Sequence, residues 1–458
     1  MRNFLLIIAL CSAFATSAHQ VRGIRSSQKD IHFTINGQYG SWTIMPELKP
    51  DRLEVACEWK KNKVRFITDI DSISFTIREG DTVQFYIQLN DTNMALTEIV
   101  GIRPNARFSK SYMKQRKGNT RIAIPEAHEL ANIVVALTEV GMADSNMLAM
   151  TTPYYAEVMQ HFAPYENHPL ISTINRQLQP LKGIDGYWFY YALKMNSCGW
   201  AFDDNGRLDR CVDIMEMGFG HPGNPIPGYK AMLEDFAATS GFRKFYSNHQ
   251  PYYDTLLQLY RRYNDLDKMQ NWAEQFFDRK YGTYTVYFSP LVGGAHSTQR
   301  YNYRGFTETV MFVDATRESK KRSYILNEML SSRVVFTEID HNFVNPVSAR
   351  YRKEINDAFG SRTKWVDTTL FGTDGYDNPE AVFNEYMTWA LYSLYCIDHF
   401  KPADRDEFIP IMEEQMGKLR GFTRFKDFNR QLMQLYTADR TIKPDDLYTK
   451  MLAWSKGV

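Results

Sequence analysis

Between residues 29 and 122 apolar and polar positions alternate, as in Ile31-His32-Phe33-Thr34-Ile35, Leu53-Glu54-Val55-Ala56-Cys57, Lys63-Val64-Arg65-Phe66-Ile67 and Val83-Gln84-Phe85-Tyr86-Ile87. Successive side chains of a strand point to opposite faces, so this pattern predicts half-buried strands. Turn sequences such as Glu79-Gly80-Asp81 and Asn90-Asp91-Thr92-Asn93 separate several of them, which suggests a small antiparallel sandwich or curled sheet. At Ile124-Pro125-Glu126 the period changes. Proline and an acid suit a first helical turn, and Leu130, Ile133, Val134 and Leu137 follow at helical spacing. Helices are expected over 126–140, 153–163, 227–238, 249–264, 267–278, 318–345, 379–400, 405–418 and 424–436, with Pro346 stopping the sixth near Asn345. His221-Pro222-Gly223-Asn224-Pro225 must be a loop. The fold class is therefore α+β: a small N-terminal antiparallel β domain (19–122), then a mostly helical domain (123–458).

Thr283-Tyr284-Thr285-Val286-Tyr287-Phe288 interrupts the helical region with β-branched and aromatic residues and runs into Gly293-Gly294-Ala295-His296. It reads as a strand ending in a glycine loop. The N-terminus carries an address: Arg2, an apolar stretch from Phe4 to Ala15, and the small residues Thr16-Ser17-Ala18 make a secretory signal peptide over 1–18. Export to the periplasm or medium follows, and Leu10 before Cys11 is too bulky for lipid attachment. No other run is apolar enough to span a membrane.

Composition adds exclusions. The 458 residues carry 54 Lys plus Arg against 53 Asp plus Glu, so no net field draws nucleic acid. The basic run Lys110, Lys114, Arg116, Lys117, Arg121 reads as a solvated loop or hairpin. Removing the leader leaves Cys57, Cys198, Cys211 and Cys396. Cys198 and Cys211 flank the turn Asp203-Asp204-Asn205-Gly206, and whether they pair is open.

Thr337-Glu338-Ile339-Asp340-His341 has the spacing of the zinc-peptidase signature H-E-x-x-H with threonine in place of the first histidine. Positions i and i+4 share a helix face, so two histidines there grip one ion while the glutamate addresses its bound water. Asn384-Glu385 follows 44 positions after His341, at the start of a later helix. This order of glycine-ended strand, motif helix and N-E helix resembles the Glu-zincin peptidases. The stretch from Ile124-Pro125-Glu126-Ala127-His128-Glu129-Leu130 to His341-Asn342-Phe343-Val344-Asn345-Pro346 is similar to a family of exported Bacteroidetes proteins of unknown function that keep an intact H-E-x-x-H.

The resemblance implies a zincin-like domain with Glu338 as general base, His341 and Glu385 as metal ligands, and Gly293 and Gly294 beside an edge strand that holds extended substrate. Thr337 breaks the pattern. A neutral hydroxyl is a poor substitute for imidazole, and a catalytic zinc site wants three protein ligands. The expectation is thus a degenerate, inactive site with doubtful zinc binding, His296 being a remote substitute ligand. The scaffold would bind a peptide or protein near Val286 to Phe288. Two alternatives stay open: a glycan-handling envelope protein using aromatics such as those of Asp185-Gly186-Tyr187-Trp188-Phe189-Tyr190-Tyr191, and an active but atypical zinc hydrolase.

Overall fold

The computed structural model describes residues 22–46, 50–179, 185–219 and 223–458. The leader over 1–18, Cys11 and the residues His221 and Pro222 lie outside the described residues. The chain is mixed α/β, and its N-terminal part is built as the alternation predicts. Eight strands, β1 (Gly23–Arg25), β2 (Asp30–Ile35), β3 (Gln38–Thr43), β4 (Asp51–Ala56), β5 (Asn62–Ile67), β6 (Ser72–Ile77), β7 (Thr82–Gln88) and β8 (Met94–Ile102), form two four-stranded sheets. Val64, Phe66 and Ile77 of one sheet meet Val55, Phe85, Ile87 and Ile99 of the other in one buried cluster, with the Phe66 and Phe85 rings 4.9 Å apart.

The sheet β3-β2-β5-β6 is antiparallel throughout. The second sheet departs from expectation, because β1 and β4 run parallel to their neighbours β7 and β8. Between β4 and β8 the chain passes through the opposite sheet, so no hairpin dictates their relative direction.

Six further strands follow: β9 (Thr120–Ala123), β10 (Trp200–Phe202), β11 (Leu208–Arg210), β12 (Thr283–Ser289), β13 (Ser297–Tyr303) and β14 (Phe306–Asp314). β10 and β11 are a small antiparallel hairpin over the Asp203–Gly206 turn. It leaves Cys198 and Cys211 unlinked, and all four described cysteines are free. The basic run is not a solvated loop. Lys110–Arg116 is a helix capped by Ser109, and Arg116 reaches 3.3 Å from Glu308 of β14, itself 2% exposed.

The central sheet has the order β13-β14-β12-β9. β9, β12 and β14 are parallel and β13 is antiparallel to β14. The strand over Thr283–Phe288 is thus interior, paired on both sides and buried at every position, and cannot accept a peptide as an added strand. Its unbroken apolar and β-branched run is what a strand covered on both faces requires. The two edges are β9 and β13, the latter joined to β14 by Arg304 and Gly305 with φ of 52° and 80°, the left-handed pair of a tight hairpin. That turn closes on the Tyr303–Phe306 pair. By the alternation of an antiparallel ladder, the backbone groups of Thr298, Arg300 and Asn302 then point away from β14.

Helices cover this sheet. Two matter most for the site: the motif helix Tyr324–Ser348 and the partner helix Pro379–His399, begun by the Asn378 side chain accepting from Ala381 N. Other elements went unforeseen, among them Pro169–Leu178, Asp185–Ser197, Arg352–Phe359 and Pro444–Gly457. Pro346 does not end the motif helix, which runs on to Ser348. Proline removes the N–H that would bond the Asn342 carbonyl. That carbonyl instead accepts from the Tyr281 hydroxyl at 2.5 Å and from Arg300 Nη1 at 2.9 Å. With Asn342 Nδ2 donating to Thr298 Oγ1 at 2.9 Å, the edge strand is fastened to the helix that carries the motif.

A buried acid at the base of the helical layer gives a pH prediction. Glu129 is wholly buried, with Oε1 accepting from the Tyr154 hydroxyl at 2.8 Å, and burial pushes its carboxyl up to about 7. The folded state therefore holds this proton while the unfolded chain has lost it. Stability must fall as pH rises from the ordinary glutamate range to about 7, by about 3 kcal/mol from this group. Urea unfolding at pH 5 and 7.5 should show that loss in the wild type and its absence in Glu129→Gln.

Candidate functional site

On the motif helix Arg333, Thr337 and His341 succeed one another at four-residue intervals and so share one face. Thr337 is 5% exposed, and its hydroxyl donates to the Val334 carbonyl at 2.9 Å, turned back onto its own helix. One turn on, His341 Nε2 lies 3.5 Å from Glu385 Oε2. Glu385 is 4% exposed on the partner helix, and its Oε1 accepts from Trp389 Nε1 at 2.8 Å and pairs with the Arg420 guanidinium. Both carboxylate oxygens are therefore engaged.

Arg420 arrives from the π-helical turn Gln415–Leu419. Its Nη2 donates to the Tyr376 hydroxyl at 2.8 Å, and its guanidinium lies 4.9 Å from the Trp389 ring centre. Electrostatics follow from this packing. Burial pushes the Glu385 carboxyl up, but Arg420 and His341 outweigh it and hold the group well below the usual carboxylate range. Burial lowers His341, yet the Glu385 carboxylate prevails, so the imidazole keeps its proton to higher pH than a free histidine.

Glu338 is 8% exposed and makes no hydrogen bond through its carboxyl to a described residue. Burial raises its proton affinity, against the charges of His341 and His296. A further neighbour is Lys194, on the helix Asp185–Ser197. It is 1% exposed, donates to the Ala295 carbonyl, and burial brings its ammonium down to about 7. His341 and Glu385 thus meet between the motif and partner helices, with Arg420 on the carboxylate and Arg333 on the Trp389 ring, while Lys194 acts on Glu338 through its charge. These three basic residues left no signal in the sequence, where each is one more cation in a helical stretch.

The remaining expected positions are the glycine loop, His296 and the aromatic stretch. Gly293 and Gly294 pack on the segment 145–147, where a Cβ would stand 2.5 Å from the Ser145 carbonyl oxygen at the first and 2.6 Å from Asn146 Oδ1 at the second. Close backbone approach accounts for both glycines. His296 lies against Asp314 of β14 at 3.2 Å. In the aromatic stretch Phe189 and Tyr190 are core, and the Tyr187 hydroxyl donates to Asp144. A cavity of about 600 Å³ lies elsewhere, among Asp30, Thr43, Arg352, Asn356, Glu380 and Asn384, and includes neither Glu338 nor His341.

Compared with protein-family models, curated proteins and solved structures, the chain gives no match. Its own donor set must decide what the site can hold. A zinc ion needs three or four nitrogen, sulfur or carboxylate donors around one point. The Thr337 hydroxyl is turned away, the His341 nitrogen and Glu385 face each other, and Arg420 brings a positive charge to the carboxylate a metal would use. Among the described residues no three His, Cys, Asp or Glu side chains are placed to hold a metal. The residues present do not fit zinc.

Proposed function

We propose that this chain is an exported, catalytically silent relative of the zinc peptidases that binds an extended peptide along the outer edge of β13. The observation that carries the reading is the Arg420–Glu385–His341 cluster. A guanidinium sits on the carboxylate where a peptidase would set its metal, so the motif and partner helices keep their pairing without the ion that activates water. The strand order supports it: an antiparallel edge strand directly precedes the central strand and the motif helix, and its outward N–H and C=O groups offer a ladder to an added strand. Among the described residues no helix is long and apolar enough to cross a membrane.

Dansylated tetrapeptides of the form Ala-Val-X-Phe, with X apolar, acidic or basic, test this. Fluorescence titration should show saturable binding without cleavage on prolonged incubation. Asn302→Pro should abolish it, since proline removes an outward N–H while leaving the ladder to β14 in place. Cleavage would restore the hydrolase reading, and failure of every peptide to bind would remove the peptide one.

A further inference from the structure

Arg333 is 8% exposed, and its Nε is buried without a hydrogen-bond partner. Its guanidinium carbon stands 4.0 Å from the centre of the Trp389 ring, the same indole that Arg420 approaches at 4.9 Å. The two cations differ in one respect. Arg420 has the Glu385 carboxylate, whereas among the described residues Arg333 has no carboxylate within ion-pair distance. Glu385 cannot serve both, because its two oxygens already take Trp389, Arg420 and His341.

A buried donor without a partner is costly unless something supplies one, and Arg333 Nε is such a donor. An ordinary surface arginine swings free into water. Arg333 is instead fixed by stacking, with the face of the motif helix that leads through Thr337 to His341 in front of it. Its flat fork of donors matches the two oxygens of a carboxylate. The Asp314 and Glu385 charges also act on Arg333, but neither is in contact with it.

Resting on the peptide-binding reading above, we infer that Arg333, stacked on Trp389 and left without a protein carboxylate, is the receptor for a carboxylate of the bound peptide. That carboxylate belongs either to the peptide's C-terminus or to an acidic side chain. The inference adds a chemical selectivity that strand addition alone lacks, since backbone hydrogen bonds do not distinguish an acid from its amide.

Three dansylated peptides separate the possibilities: Ala-Val-Ala-Phe as the free acid, the same peptide as its C-terminal amide, and Ala-Val-Glu-Phe amide. One of the two carboxylate peptides should bind the wild type about ten- to a hundredfold more tightly than the neutral amide, as hydrogen bonds to a charged group imply. Which one does so identifies the source. Arg333→Gln should erase that preference, and Arg333→Lys should keep part of it.

If all three peptides bind wild type equally, or if the preference survives in Arg333→Gln, the inference is overturned while peptide binding stands. If none binds, the peptide reading fails and takes the inference with it. Should Arg333→Gln not fold by circular dichroism, the acid-against-amide comparison on wild type and on Arg333→Lys decides alone.

Discussion

Thr337→His alone is expected to leave the protein without stoichiometric zinc, whereas Thr337→His combined with Arg420→Met is expected to bind about one zinc per chain. The single change restores the histidine pair at i and i+4, with Glu338 between them. It does not free Glu385, whose oxygens remain bound to Arg420, Trp389 and His341. A metal would have to displace the half-buried Arg420 guanidinium from a buried carboxylate, a competition worth several kcal/mol and hence about a hundredfold or more in affinity. Methionine fills similar volume without charge, so the double variant offers two histidines and a released carboxylate. Metal analysis after equilibration with zinc and gel filtration reads the outcome. Zinc uptake by Thr337→His alone would show that Arg420 does not guard the site. Its absence from the double variant would mean that these residues do not converge as a metal centre at all.

Glu385→Ala is the second large effect. It removes the carboxylate that Arg420 and His341, 29% and 21% exposed, both face, and leaves two positive groups together. Breaking a buried pair from one side typically costs about 3 to 5 kcal/mol, much of it the stranded charge. Adding Arg420→Met should return most of the loss, because the charge goes with its partner. Thermal or urea unfolding of the three variants measures both numbers, and equal destabilisation of single and double variants would sink the account. The pH windows have opposite signs. Glu385, depressed when folded, contributes above the unfolded carboxylate range and loses its contribution as pH falls through the folded value. His341, raised when folded, contributes below the unfolded imidazole value and loses it as pH climbs through the folded one. The pair is thus at full strength between those limits.

Much of the architecture could be read from periodicity. The alternations at Leu53–Cys57 and Lys63–Ile67 fall in β4 and β5, and the N-capped start at Asn378-Pro379-Glu380 is where the partner helix begins. Reading failed where a local rule met a distant partner. Pro346 breaks a helix on local grounds, but Tyr281 and Arg300 take up the carbonyl it frees. Ser297–Tyr303 is too polar to announce itself as a strand, because only Ser297 and Tyr301 of it are buried. Thr283–Phe288 is expected at an edge by resemblance, whereas its lack of alternation points to the interior, where it lies. Glu338, His341 and Glu385 were legible from spacing. Arg420 was not, since nothing marks which of many arginines closes back on a helix 35 positions earlier.

Pro346 also has a geometrical consequence for how β13 sits against the motif helix. Because its missing N–H leaves the Asn342 carbonyl for Arg300, a strand residue is pinned to a fixed point on the helix axis. The spacing between strand and helix is thereby set by covalent ring chemistry at a position that makes none of these bonds itself.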